Sequence, residues 1–189
     1  MRTSFYNEKE LINLGLKSIG KNVLISRKAS IYSPHKIAVG NNVRIDDFCI
    51  LSGEIKLGTF VHIAAFCALY GRNKIIMEDY ISLSAKTIIY SASDDFNGEY
   101  LFGPTVPEEF RNVKGGTVLI KRYSMIGAGS IVFPNITIGE GTAVGAMSLV
   151  NKSLSEWGIY AGIPVKFIKK RSKLLLNKQS LLSKRLKEK

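Results

Sequence analysis

Histidine is scarce in this chain: His35 and His62 are the only two among 189 residues, beside two cysteines, one tryptophan and five prolines. So few histidines and cysteines, none of them clustered, give no zinc signal, and two cysteines make no disulfide framework. Cys49 and Cys67 read instead as small buried fillers in a reducing compartment. No apolar run is long enough to span a bilayer. The opening MRTSFYNEKELINLG carries charges where a signal peptide needs an unbroken apolar stretch, so a cytoplasmic protein is expected. Acidic residues are also few, 15 against 27 basic, for a net charge of +12. Most of that excess is local. Residues 166–189 hold ten Lys or Arg and one acid, Glu188, which leaves the remainder at +3. No aromatic interleaving or known binding motif accompanies the charge, so nucleic acid is not an expected partner.

What the chain has in abundance is Ile, Leu and Val, 51 residues in all, and their spacing carries the fold. Apolar residues recur at intervals of six: Ile19, Ile25, Ile31; Val39, Ile45, Leu51, Leu57, Ile63, Leu69; Met77, Leu83, Ile89; and Ile120, Ile126, Val132, Ile138, Val144, Val150. A period of six fits neither a helix nor a half-buried strand; it fits the hexapeptide repeats of a solenoid. The position four residues on is often small (Ala29, Cys49, Cys67, Thr87, Ser124, Ser130, Thr142, Ser148), which lets coils stack closely.

Residues 4–14 read as a short helix with Ser4 or Asn7 as N-cap and Gly15 as its stop. The period slips by two residues around Pro34 and again around Gly71. Between Ile89 and Ile120 lies a 31-residue gap whose insert, SASDDFNGEYLFGPTVPEEFRN, should project from the coil. The expected organisation is therefore a cap helix over 1–18, a solenoid over 19–170 with a projecting loop at 93–117, and a basic helix over 171–189. Leu175, Leu182 and Leu186 fall close to one face of that last helix. It either packs back as a cap on the solenoid or a neighbouring subunit, or touches an acidic membrane surface.

The stretches FVHIAAFCALYG (60–71), IYSASDDFNGEY (89–100), GPTVPEEF (103–110), IGAGSIVFPNITIGEGTAVGAMSLV (126–150) and WGIYAGIPVKFIKKRSK (157–173) resemble the left-handed parallel β-helix acyltransferases. The likeness is to members that acetylate sugars for bacterial surface polysaccharides such as O-antigen. The resemblance implies an all-β, left-handed parallel β-helix of triangular coils, about six from eighteen hexads. It further implies acetyl-CoA as co-substrate, no metal, and a homotrimer with active sites between subunits.

Toward that chemistry, the small residues Gly127, Ala128, Gly145 and Ala146 would expose backbone along which the pantetheine arm of CoA could lie. Gly162 and Pro164 would shape a turn near it, with Lys166, Lys169, Lys170 or Arg171 available for phosphates. The same small residues also suit any coil corner. Many relatives place a histidine base in the loop after the central coils; SASDDF has none. Two candidates remain for the proton. His62 points outward between Val61 and Ile63, where a neighbouring subunit could form a cleft. Asp94 and Asp95 open the projecting loop beside Tyr90 and Ser93, and could hold a sugar ammonium or merely form an Asx turn. Arg72 and the loop aromatics are candidate nucleotide contacts. The expected reaction is direct attack of the amino group of a UDP- or dTDP-linked amino-deoxy sugar on acetyl-CoA, with Asp94 at the amine. A hydroxyl acceptor would instead need His62, and a non-catalytic trimeric scaffold is the reading from a different class.

Overall fold

An inward side chain at every sixth position requires the chain to turn after each short straight run. The computed structural model, which describes residues 4–187, has that geometry: strands of mostly two or three residues stack in parallel into three faces of a β-solenoid. On the first face Ile19, Val39, Leu57, Met77, Ile120 and Ile138 are successive partners, and Ile138 bridges on to Leu154. The second face aligns Ile25, Ile45, Ile63, Leu83, Ile126, Val144 and Tyr160. The third aligns Ile31, Leu51, Leu69, Ile89, Val132 and Val150, with Val165 N–H donating to Leu149 O at 2.9 Å. Every in-phase position is thus an inward one, buried except for the partly buried Ile19 and Ile31 of the first turn.

The stack has about seven turns rather than six. The last, carried by Leu154, Tyr160 and Val165, escapes a six-residue count because Leu154 follows Val150 after only four residues. Both slips of the period are absorbed without breaking the stack. Pro34–Lys36 forms a 3-10 turn, and the continuous strand Ala68–Met77 takes up its extra residues at Gly71–Lys74, opposite a register shift between Gly53 and Ile55.

The small inward residues close the space between turns and satisfy its carbonyls. Ser124, Ser130 and Thr142 donate to Gly139, Gly145 and Ser155 carbonyls at 2.9, 3.0 and 2.8 Å, while the free, buried Cys49 and Cys67 reach Ala64 and Ser84 carbonyls at 3.1 and 3.2 Å. The corner between first and second faces demands left-handed backbone at Asn22, Asn42, Phe60, Tyr80, Tyr123, Gly141 and Trp157, all with φ between 51° and 64°. Stacking offsets that strain: Phe60 on Tyr80 and Tyr80 on Tyr123 have ring centroids 4.9 and 5.3 Å apart, and Asn22 donates to the Asn42 side chain at 3.1 Å.

At the N-terminal end, helix α1 (Glu8–Asn13) starts in a capping box between Asn7 and Glu10 and stops at Gly15, φ 69°. At the other end, strand Lys166–Lys170 returns antiparallel along Gly158–Ala161. Helix α2 (Leu175–Lys187) follows and folds back over the second face, where Leu175 and Leu182 line a groove with Tyr80, Tyr123 and Met125. The insert leaves the coil after the third face, and its base is closed by antiparallel pairing of Ala92–Ser93 with Lys114–Gly115.

Candidate active site

The projecting loop is aimed by the coil beneath it. Tyr90 ends the strand Ile88–Tyr90 and stacks on Tyr70 of the turn before at 5.2 Å. The next residue, Ser91, is buried and pinned twice, its hydroxyl donating to Tyr70 O at 2.9 Å and accepting from Asn73 N–H at 2.8 Å. The chain can then only swing outward through Ala92 and Ser93 into Asp94 and Asp95. Tyr90, Ser93, Asp94 and Asp95 line one cavity of about 640 Å³, completed by Lys114 from the far side of the loop and Phe133 and Pro134 from the following turn.

The two carboxylates differ in role. Asp94 is half-buried, and its Oδ2 accepts from Gly103 N–H at 3.3 Å. Asp95, expected to bind substrate, lines the same cavity, but its side chain is only 1% exposed and its Oδ1 accepts from Lys114 Nζ at 2.9 Å. The Lys114 ammonium holds the Asp95 carboxyl below its ordinary value of 3.8, outweighing burial, and Asp95 in turn raises Lys114.

Two other candidates lie elsewhere. Arg72 meets Glu108 of the loop at 3.2 Å and lines a separate hollow with Lys17, His35 and Glu54. His62, on the second face, has its Nε2 at 2.8 Å from Asp46 Oδ2, and Arg44 holds the other Asp46 oxygen at 2.6 Å. Burial pushes the Asp46 carboxyl up, but the hydrogen bonds from His62 and Arg44 bring it down below its ordinary value. Within one chain His62 does not share a cavity with Asp94.

The residues expected to hold the cofactor divide by role. Gly127 and Gly145 stand one above the other at the corner after the second face. A Cβ on Gly127 would sit 2.4 Å from Ala146 N, and one on Gly145 would sit 2.9 Å from the Ala161 Cβ. Their N–H groups already donate to Val144 and Tyr160 carbonyls, so the missing side chains let successive turns stack at this corner, and N–H donors for an amide-bearing arm must come from elsewhere. Gly162, φ 108°, and Pro164, after a cis peptide, make the turn into the returning strand, on which Lys166, Lys169 and Lys170 are all exposed. Arg171 is not available with them: its Nη1 donates to Tyr123 and Gly141 carbonyls at 2.8 and 2.9 Å, tying the tail to the aromatic corner. Among the described residues no His, Cys, Asp and Glu side chains cluster as a metal site, and no helix is long and apolar enough to cross a membrane.

No protein-family model matches the chain. Individual proteins do. The chain is 41% identical over 181 residues, 94% of each sequence, to a dTDP-4-amino-4,6-dideoxy-D-glucose acyltransferase of Escherichia coli. The chain belongs to the hexapeptide-repeat sugar acyltransferases. The crystal structure of AntD, an N-acyltransferase from Bacillus cereus in complex with dTDP and 3-hydroxybutyryl-CoA, superposes on this acyltransferase with a TM-score of 0.96 at 52% identity, covering 98% of this chain and 100% of that one. The D94A variant of AntD is in complex with dTDP and coenzyme A, and its S84C variant with dTDP-4-amino-4,6-dideoxyglucose and coenzyme A. More distant is a putative lipopolysaccharide biosynthesis O-acetyl transferase, WbbJ, of E. coli K12, 28% identical over 77% of this chain and 74% of its own length.

Sequence reasoning missed two residues of this cavity, Lys114 and Phe133, and gave no reading of Ser84. Lys114, near the end of the long gap in the repeat, and Phe133, in the turn that follows it, line the cavity. Ser84 is half-buried where the second face ends, with its N–H on Ile126 O at 2.9 Å. Lys114 did carry a signal, since it stands just before the Gly115–Gly116 pair where the chain returns to the coil, and a Cβ on Gly115 would meet Ser91 O at 2.6 Å.

Proposed function

We propose that this protein transfers an acyl group, acetyl in the simplest case, from acyl-CoA to the amino group of a dTDP-linked amino-deoxy sugar by direct attack. The observation that carries this reading is the cavity at the base of the loop, where Asp94 presents a carboxylate suited to an ammonium group beside Tyr90 and Ser93. The likeness to AntD and to the E. coli acyltransferase supports dTDP over UDP, and this chain carries Asp and Ser at its own positions 94 and 84. Asp94 attracts and orients the sugar ammonium and takes up one of its protons, freeing the nitrogen lone pair to attack the thioester carbonyl; the amide forms, the C–S bond breaks, and the second proton lost by the nitrogen passes to the sulfur so that CoA leaves as the thiol. Backbone N–H groups near Ala128 and Ala146 are the candidates to steady the tetrahedral oxyanion. The pantetheine arm lies along the corner at Gly127 and Gly145, and Lys166, Lys169 and Lys170 supply cations for the phosphates of CoA. The enzyme works as a homotrimer in the cytoplasm, with sites between subunits, in the synthesis of O-antigen or a related glycan. In this reading His62, paired with Asp46 in a separate hollow of the same chain, takes no part at the acceptor.

Acyl-CoA turnover followed by thiol release, with dTDP-4-amino and 3-amino sugars set beside their hydroxyl and UDP counterparts, tests this. Turnover confined to the dTDP amines is the expected result. Turnover of a hydroxyl acceptor would move the chemistry to His62 and make the protein an O-acetyltransferase.

A further inference from the structure

Two buried side-chain polar atoms among the described residues have no hydrogen-bond partner, Asp95 Oδ2 and Arg111 Nε, and both belong to the projecting loop. They flank the hydrogen bonds that hold Asp94. Arg111 Nη1 donates to Gly103 O at 3.1 Å, and the N–H of the same Gly103 donates to Asp94 Oδ2 at 3.3 Å. On the other side, Asp95 is one peptide bond from Asp94 and is fixed to Lys114 across the base of the loop, where Ser93 and Lys114 are also backbone partners. A carboxylate only 1% exposed, with one ion-pair partner, depends on that partner heavily, because removing the cation leaves its charge uncompensated where little of it can be hydrated. The loop cannot relax around such a charge without moving its neighbours, and Asp94 is the nearest neighbour.

We propose that Lys114 is a positioning residue for Asp94, acting through Asp95: the ion pair fixes the backbone on which the Asp94 carboxylate is carried, so that only the side-chain torsions of Asp94 remain to be set by Gly103 and the substrate. The proposal rests on the reading of Asp94 as the group that meets the acceptor amine. It separates Lys114 from the phosphate-binding lysines of the returning strand, since its Nζ is committed to a carboxylate inside the acceptor cavity.

The test compares the full-length wild type with Lys114→Met, Lys114→Arg and the double variant Lys114→Met/Asp95→Asn. Hydrogen exchange at the Gly103 amide reports on the Asp94 contact without any substrate. In Lys114→Met that amide should exchange about tenfold faster while the coil amides stay protected. The acceptor kcat/KM should fall about ten- to a hundredfold with the Kd for acetyl-CoA unchanged. Removing the stranded charge in the double variant should recover most of both effects, and Lys114→Arg should lose little. Unchanged Gly103 exchange in Lys114→Met would overturn the proposal, as would a joint fall in acceptor turnover, acetyl-CoA affinity and Tm that the double variant does not repair. If the wild type turns over none of the amino sugars, the acceptor assignment fails instead, and Gly103 exchange still decides whether Lys114 fixes Asp94.

Discussion

Asp94 and Asp95 share a peptide bond and line the same cavity, yet Asp94 is half-buried while the Asp95 side chain is almost sealed and paired with Lys114. The pair was legible from sequence as two carboxylates at the start of a long excursion. Which of them stays available was not, because the answer lies with Lys114, nineteen residues further on and across a loop whose path no periodicity describes. Arg171 was misread for a related reason: a cation in a basic run looks free until the carbonyls of Tyr123 and Gly141 are found at its tip. At this scale the distinction between the two proton candidates becomes measurable. Asp94→Asn should lower the acceptor kcat/KM by about 10²–10⁴ while acetyl-CoA still binds, and His62→Asn should stay near wild type; thiol release on the dTDP amino sugar measures both. A large loss in His62→Asn with an active Asp94→Asn would reverse the assignment.

The strands themselves were the most readable element, since each turn repeats the same demand for an apolar residue facing in, and the eighteen positions written from spacing all face in, buried save for Ile19 and Ile31 of the first turn. The corners were opaque. An aromatic residue three places after Leu57 or Met77 has no hydrophobic reason to be there, and its purpose appears only when stacked turns set Phe60, Tyr80 and Tyr123 ring upon ring. Gly141 interrupts that column for a steric reason. Trp157 from the last turn lies over it, and a Cβ there would come within 2.5 Å of the indole ring. Gly141→Ala should therefore push Trp157 off its seat and destabilise the C-terminal turns by about 1–3 kcal/mol, read as a lower Tm by circular dichroism and a shifted Trp emission spectrum. An unshifted spectrum and Tm would show that the indole is not held by this contact.

For the molecule as a whole, acid should be the weak side. Glu10, Asp46, Asp47, Glu54 and Asp95 all have carboxyls held below their ordinary values by partners in the folded state. A depressed carboxyl contributes stability that is in full above its unfolded value and is lost as pH falls through the folded one. The Tm should thus be flat through neutrality and decline once pH drops below the ordinary carboxylate values of 3.8 and 4.5; a Tm that held or rose there would mean these partners do not stabilise the fold. The repeat also sets a limit on growth. A parallel stack offers each end as a template for another turn, so nothing in the coil itself says where to stop. Here the last full strand is met from outside by Lys166–Lys170 running the opposite way, with a register shift between Ile159 and Tyr160 and five exposed side chains. That reversed, irregular, cationic strand occupies the edge of the second face where one more parallel turn would otherwise add, so the repeat ends there in a strand that cannot repeat it.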